Sequence, residues 1–532
     1  MVWNRALGII LKPEDHNRRN SAVRYLSWNI SSEFRRPDGV RKEVILINGM
    51  FPGPTIEGRP GDTIEVEIYN SYREGISIHW HGLHMRGANH MDGPVGITQC
   101  EIQPGSLFRY RFDIAEDQTG TFWYHAHSQI HRGDGLYGGL VIHEPLGTKS
   151  SSSQDHDAEI LLLAGDWYHH QSSRVLESFM SSTGDGNEPC PDSLLVNGMG
   201  HFDCSREVPA KPVDCTISLK PTITLNKRLR YRIRLINAGS LAGISMGIPD
   251  ALLNITYVDG GQEVTSDVSN SVGILYPGER VDFTLEWPQS KPETRDFQSP
   301  NLALEPIQTF TILSPGSTQS AQNTEALQSS VSLQRVEGPI LREPLPNPDV
   351  KFVIYSAMQI LNRLGNVPTG FVNRTHWVAQ DRPLLSMNRE SWDEHQLVPW
   401  TGEKPAWVEL VINNLDGTGH SFHLHGFDFY VISSYRGKGG WDYYNPFDPS
   451  REPRGGAFNL LNPVRKDTVY VPPFGYVVLR FLADNEGIWL LHCHVLWHQA
   501  SGMTMAFQVL GDEVEAFRDT LLGQDAGKTC PA

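Results

Sequence analysis

Residues Thr63–Leu83 read TIEVEIYNSYREGISIHWHGL: an alternating run that closes on Asn70, then a His-x-His pair nine residues later. Alternation of β-branched with polar residues marks a strand buried on one face. The same grammar occurs twice more. Tyr231–Ile248 reads YRIRLINAGSLAGISMGI and closes its run on Asn237, and Val408–His425 reads VELVINNLDGTGHSFHLH and closes its run on Asn414. A turn-led run follows each copy: QPGSLFRYRF from Gln103, YPGERVDFTL from Tyr276 and PPFGYVVLRF from Pro472. Copies so widely spaced mean three similar domains rather than a short-repeat array. Alternating runs at Thr63–Tyr69, Leu107–Phe112, Arg230–Ile236, Arg280–Leu285, Trp407–Ile412 and Tyr476–Phe481 predict half-buried sandwich strands, so the fold class is all-β. Ser- and Gln-rich stretches at Gly147–Asp157 and Gly316–Gln334 read as linkers. They predict domains at 21–147, 158–315 and 345–532.

A chain of 532 residues has room for three such cores. Its 61 acidic and 45 basic side chains give a net charge of −16, which excludes nucleic acid and anionic membrane surfaces as partners. The 49 Gly and 35 Pro are spread along the chain, as in turn-rich β structure rather than disorder. No apolar run reaches the roughly 18 residues of a membrane-spanning helix, and Met1–Asn20 does not have the form of a signal peptide. Six cysteines, at 100, 190, 204, 215, 493 and 530, suffice for a few staples. Acceptor tripeptides at Asn29, Asn254 and Asn373 give weak support to a glycosylated, secreted protein.

Histidine carries the chemistry. The 21 His include four His-x-His pairs, where about 0.8 would arise by chance. They are His79 and His81, His125 and His127 in GTFWYHAH, His423 and His425, and His492 and His494 in GIWLLHCH. The middle repeat has Met246 and Ile248 at the matching offsets and no counterpart of the second pair. Residues i and i+2 of a strand share a face, so each pair presents two imidazoles to one spot, and imidazole suits copper, zinc, iron and nickel. Eight ligands split between the first and third domains then converge at their interface, in preference to eight separately satisfied core histidines.

Alternation sends Cys493 to the face opposite His492 and His494. There it can serve a second site with His420, His498 and Met503, the His2Cys set with a weak axial Met of a blue-copper centre; a Met beside a Gly is otherwise a core residue. An electron-accepting copper is thus joined through Cys493 and its two neighbours to a multi-His cluster. That layout suits taking single electrons from a reductant and pooling four to reduce O2 to water.

With HWHGLHM, WYHAHSQ, HSFHLHGFDFYV and HCHVLWHQASGM in order, the chain from about Arg24 onward resembles the multicopper oxidases, ascomycete laccase-like and ascorbate-oxidase-like enzymes in particular. The resemblance implies three consecutive cupredoxin-like Greek-key β-sandwiches and four copper ions. By position, His79 and His423 would bind type 2 copper, and His81, His125, His127, His425, His492 and His494 the type 3 pair. His420, Cys493 and His498 would hold type 1 copper with Met503 axial. An axial Met, where many fungal laccases have Leu or Phe, implies a lower-potential site and a preference for easily oxidised phenols. Asp92 matches a family acid that relays protons, or is a solvated turn residue. Glu188 lies where relatives have a carboxylate near the substrate, and reads equally as a loop residue. Asp134 reads as structural.

The chain departs from the family pattern at several positions. Leu496 stands where several relatives carry an acid, so one proton route is absent; Ser421 and Phe427 replace the usual Pro and last His of the third signature, neither at a ligand position. The resemblance pairs Cys100 with Cys530 and Cys190 with Cys204. It leaves Cys215 without its N-terminal partner, which points to a late start of this chain. The expected activity is a laccase-like oxidation of phenols, metabolites or pigment precursors, by a monomer in the secretory pathway or outside the cell, with a small-molecule reductant and O2 as partners. A ferroxidase would need an acidic iron site beside His420 and His498 and often a C-terminal anchor, which the ending GQDAGKTCPA lacks. Ascorbate is a third reductant. A copper carrier without turnover would need only one copper, against the ten ligating His kept here.

Overall fold

The computed structural model describes residues 8–147, 156–183, 186–209, 211–248, 251–287, 296–300, 307–313, 333, 336–440 and 442–530. Each repeat builds two sheets. In the first, Lys42–Ile47, Val23–Arg35, Thr63–Asn70 and Leu107–Asp113 lie side by side in that order, and Gly53–Gly58, Tyr137–Ile142, Gly120–Ala126 and Ile78–His81 form the second layer. The middle repeat has sheets of seven and five strands, and the third has sheets of six and four. Ile9–Ile10, ahead of the first predicted domain, pairs with Ala158–Trp167 and so joins the seven-stranded sheet. The predicted linkers fall outside the described residues except for Gly147, His156, Asp157 and Leu333.

The repeated asparagine has the same duty in every copy. Asn70 Nδ2 donates to the carbonyls of Glu74 and Ile102 while its Oδ1 accepts from Tyr72 N. Asn237 bonds in the same way to Ala242, Leu275 and Gly239, and Asn414 to Thr418, Val471 and Asp416. Each side chain therefore ties the turn after its strand to the turn-led segment that follows, satisfying backbone groups that burial would otherwise strand. This fixes the next strand, the one that carries the histidines.

The six alternating runs are all strands, but only the first repeat shows clean one-sided burial. Thr63–Asn70 alternates, whereas every residue of Tyr231–Asn237 is buried. The reason is domain packing. Arg232 and Arg234 of that strand are buried in ion pairs with Asp282 and Glu159, and Arg234 Nη1 also reaches Thr121 of the first domain at 2.9 Å. One continuous apolar core, from Trp28 to Val509, joins the first and third domains, and the middle domain keeps its own core with Met246 and Ile248 inside it.

Cys100 bonds to Cys530, as expected. The expected Cys190–Cys204 bridge is wrong: Cys204 bonds to Cys215, and Cys190 is an exposed free thiol. The Cys204–Cys215 bridge closes a loop held to the first domain by Val40 and Asp214, where Arg41 N donates to Asp214 O at 2.8 Å. The unmatched cysteine that pointed to a late start is thereby removed. No helix among the described residues is long and apolar enough to cross a membrane.

Candidate metal centre

Antiparallel register sets the first layer of the site. His79 lies opposite His125 across the first domain, and His423 lies opposite His492 across the third. Directly opposed strand residues on one face sit about 5 Å apart at Cβ, so each pairing gathers imidazoles that sequence separates by tens of residues. Where the two domains share their core, the four pairs meet. His79 Nε2 is 3.4 Å from His423 Nε2, His425 Nε2 is 3.1 Å from His492 Nε2, and His125 Nε2 is 3.4 Å from His81 Nδ1. His81 stacks on His423 at 3.7 Å and His79 on His425 at 3.8 Å. His494 closes the ring, 5.0 Å from His81 and 5.2 Å from His125 between ring centres. The middle domain adds a wall: Gly278 (φ +92°) leaves no room for a Cβ, which would lie 2.9 Å from His494 Cγ.

Burial, reinforced by neighbouring imidazoles or Arg132, holds His81, His125, His127, His425, His492 and His494 well below the usual imidazole range. Neutral imidazole is the metal-binding form. His494 Nε2 is buried with no hydrogen-bond partner, an open ligand atom facing its neighbours. The donor set fits copper.

Cys493 points the other way, opposite Phe422 in the register. Its Sγ lies 3.8 Å from His420 Nδ1 and 3.6 Å from His498 Nδ1, and those two nitrogens are 3.1 Å apart. Burial alone would raise the thiol, but hydrogen bonds from His420 and His498 pull it down to about 6, toward the ligating thiolate. Met503 is fully buried on the neighbouring chain segment, and its carbonyl accepts from Cys493 N at 3.1 Å.

Carboxylates hold the outer nitrogens. Asp92 lies 2.8 Å from His425 Nδ1 and 3.1 Å from His79 Nδ1, fully buried between the two domains. Glu188 Oε1 lies 3.2 Å from His498 Nε2, with the side chain 27% exposed. The hydrogen bond to His498 holds its carboxyl below the ordinary range. Asp134 caps Ser172 and pairs with Lys42 at 2.7 Å, as a structural residue does.

Three groups escaped the sequence reading. Asp416 Oδ2 lies 2.8 Å from His420 Nε2; burial works against charge on His420, and this bond raises it to about 9. Asp467 faces His81 Nε2 and His423 Nδ1, both at 3.4 Å, and is matched by Arg280 from the middle domain at 2.5 Å. Arg132 Nη1 lies 2.7 Å from His494 Nδ1. Asp416 had a local signal, four residues before His420 in the Asn414 turn. Arg132 meets His494, and Asp467 meets His81, across a domain interface, while Asp467 reaches His423 of its own domain from the segment leading into the neighbouring strand Thr468–Val471.

Three segments, residues 29–147, 158–297 and 362–513, match family models described as multicopper oxidase. The chain is 32% identical over 509 residues to Laccase-1 of Cryptococcus neoformans var. grubii, covering 90% of this chain and 79% of that one. It is 31% identical over 510 residues to the iron transport multicopper oxidase fetC of Epichloe festucae, covering 90% and 75%. To the L-ascorbate oxidase of Cucurbita pepo var. melopepo it is 30% identical over 545 residues, covering 92% and 94%. Among solved structures it resembles Fet3p, a multicopper oxidase that functions in iron import (TM-score 0.80, 25% identity, 96% of this chain and 94% of that one). The laccase from Botrytis aclada is similar at TM-score 0.78 and 25% identity, over 97% and 93%.

Proposed function

Because this chain belongs to the multicopper oxidase family, we propose that it acts as a laccase-like enzyme, oxidising phenols one electron at a time. It is a copper-dependent oxidase that uses O2, and its His and Cys clusters are consistent with type 1 and trinuclear copper sites. In our reading His79 and His423 hold type 2 copper, and His81, His125, His127, His425, His492 and His494 hold the type 3 pair. His420, Cys493 and His498 hold type 1 copper, with Met503 axial. When bound, copper supplies the one-electron acceptor beside Cys493 and the reduction of O2 at the eight imidazoles. Four phenols then give four electrons and four protons, and one O2 leaves as two waters.

The chain's own groups do the rest. Among the described carboxylates at the Cys493 site Glu188 is the more open to a substrate: His498 is its one side-chain hydrogen-bond partner there, and it is part-exposed. As a proton acceptor beside His498 it carries the phenol reading; the same acid is one of the two that an iron site beside His420 and His498 would use. Glu188 takes the hydroxyl proton as the electron enters through His498. Asp92, shared by His79 and His425, holds or passes a proton beside the eight-His cluster. Two disulfides fit an oxidising compartment, and we read the enzyme as a monomer of the secretory pathway.

Asp416 favours a second reading, oxidation of Fe(II), since two carboxylates beside two imidazoles suit a cation. Its geometry limits that role. Asp416 Oδ2 already accepts from Met358 N at 2.8 Å besides facing His420, and its side chain is only 16% exposed. It is better suited to orienting His420 than to binding iron. Oxygen uptake by the copper-loaded enzyme with phenols, Fe(II) and ascorbate tests the choice. The highest kcat/KM is expected for a phenol, and Fe(II) as the best substrate would sink the laccase reading.

A further inference from the structure

Asn187 and Pro189, the neighbours of Glu188, line a cavity of about 1250 Å³ that extends over the second domain. Drug-sized ligands fill pockets of about 300–1,000 Å³, so this space exceeds the needs of a single phenol ring. Its inner wall is aromatic: Tyr168 and Phe179 are buried, and Phe202 is half-buried. Tyr168 is also the link to the metal site. Its hydroxyl donates to Pro189 O at 2.8 Å and accepts from Trp497 Nε1 at 3.1 Å, and Trp497 immediately precedes His498.

The other wall is cationic. His170, Arg174, Arg206, Lys211 and Lys220 all line it, in a chain whose net charge is −16. Three carboxylates share that wall with them, each accepting a backbone N–H: Asp192 from His169 N, Asp203 from Ser205 N and Glu207 from Val213 N. Arg174 and Lys211 are exposed and have no ion-pair partner among the described residues. Both crowd His170, which burial first and then Arg174 hold below its ordinary value. The Cys204–Cys215 bridge braces the loop that carries Arg206 and Lys211.

We propose that this cavity binds the body of the reductant, a fused-ring phenol with an acidic substituent held by Arg174 and Lys211. The proposal rests on the laccase-like reading. Seated this way, the hydroxyl reaches Glu188 across the rim at Asn187 and Pro189. There the O–H bond breaks, the proton passes to Glu188, the electron enters through His498 toward O2, and the ring leaves as a phenoxyl radical.

The test compares 6-hydroxy-2-naphthoate with 2-naphthol as substrates of the copper-loaded enzyme, in the parent and in the double variant Arg174→Gln, Lys211→Gln. Both positions are exposed, so the fold is expected to survive. The variant should raise KM for 6-hydroxy-2-naphthoate at least about tenfold, since each of the two charge-assisted contacts it removes is worth about that factor, and leave 2-naphthol unchanged. Calorimetric binding of 2-naphthoate, which has no hydroxyl to oxidise, should weaken in proportion. Unchanged KM and unchanged 2-naphthoate binding would overturn the proposal while leaving a phenol oxidase. If neither naphthol is oxidised but the variant still loses 2-naphthoate, the anion site stands and the laccase reading fails.

Discussion

Burial acts on His16, far from the proposed copper ligands in sequence, as it does on the ligands themselves. Desolvation first, then the stacked His143 ring 5.3 Å away, lowers it to about 4. The unfolded chain takes up that proton near the ordinary value of about 6.5. Protonation therefore favours the unfolded chain between the two values, and stability present at pH 7 is lost as pH falls toward 4. In His16→Phe the fall of Tm between pH 7 and pH 4 should be shallower than in the parent; parallel curves would contradict this. The proposed ligands were legible because strand period and a repeated asparagine put them in matched places. Glu188 was ambiguous for the opposite reason: a loop residue has no period, and only its 3.2 Å approach to His498 separates it from its neighbours. Arg132 left no trace in the sequence because it meets His494 across a domain interface, and Asp467 because it meets His81 across one and His423 only through the pairing of strands 44 residues apart in the chain.

The strands were legible as elements, but their burial was not. Alternation predicts one wet face, and in Tyr231–Asn237 that face is covered by other parts of the chain and filled with paired arginines. Disulfide connectivity was misread because the resemblance supplied a pairing that loop geometry here does not keep. A non-reducing digest should yield a peptide joining Cys204 to Cys215, with Cys190 modifiable by a thiol reagent in the native protein; a Cys190–Cys204 peptide would contradict the structure. Closing a loop of 11 residues stabilises by roughly 3 kcal/mol on the chain-entropy estimate. The double variant Cys204→Ser, Cys215→Ser should therefore melt at lower temperature yet keep the intense absorption expected of the Cys493 site, which lies on a different domain. An unchanged Tm would show that the surrounding loop is already held by its other contacts.

At the scale of the whole molecule the middle domain contributes no proposed copper ligand and still decides the site. Arg280 reaches from it to Asp467, which touches His81 and His423, and Asp259 stands 3.6 Å behind. Removing one partner of a buried pair costs about 3–5 kcal/mol, because the other charge stays behind unmatched. Arg280→Met should lose about that much stability and bind fewer than the parent's number of coppers per chain; full copper content and an unchanged Tm would show that Asp467 needs no counter-charge. Glu188, the most open of the described carboxylates at the Cys493 site, is where the phenol is expected to leave its proton. The measurement that decides this is kcat/KM for a phenol in Glu188→Gln, beside Fe(II) on the same copper-loaded protein. A loss of about 100-fold is expected for the phenol, the lower range for a positioned proton acceptor, with a much smaller change for Fe(II). An unchanged phenol rate with Fe(II) oxidation abolished would contradict it.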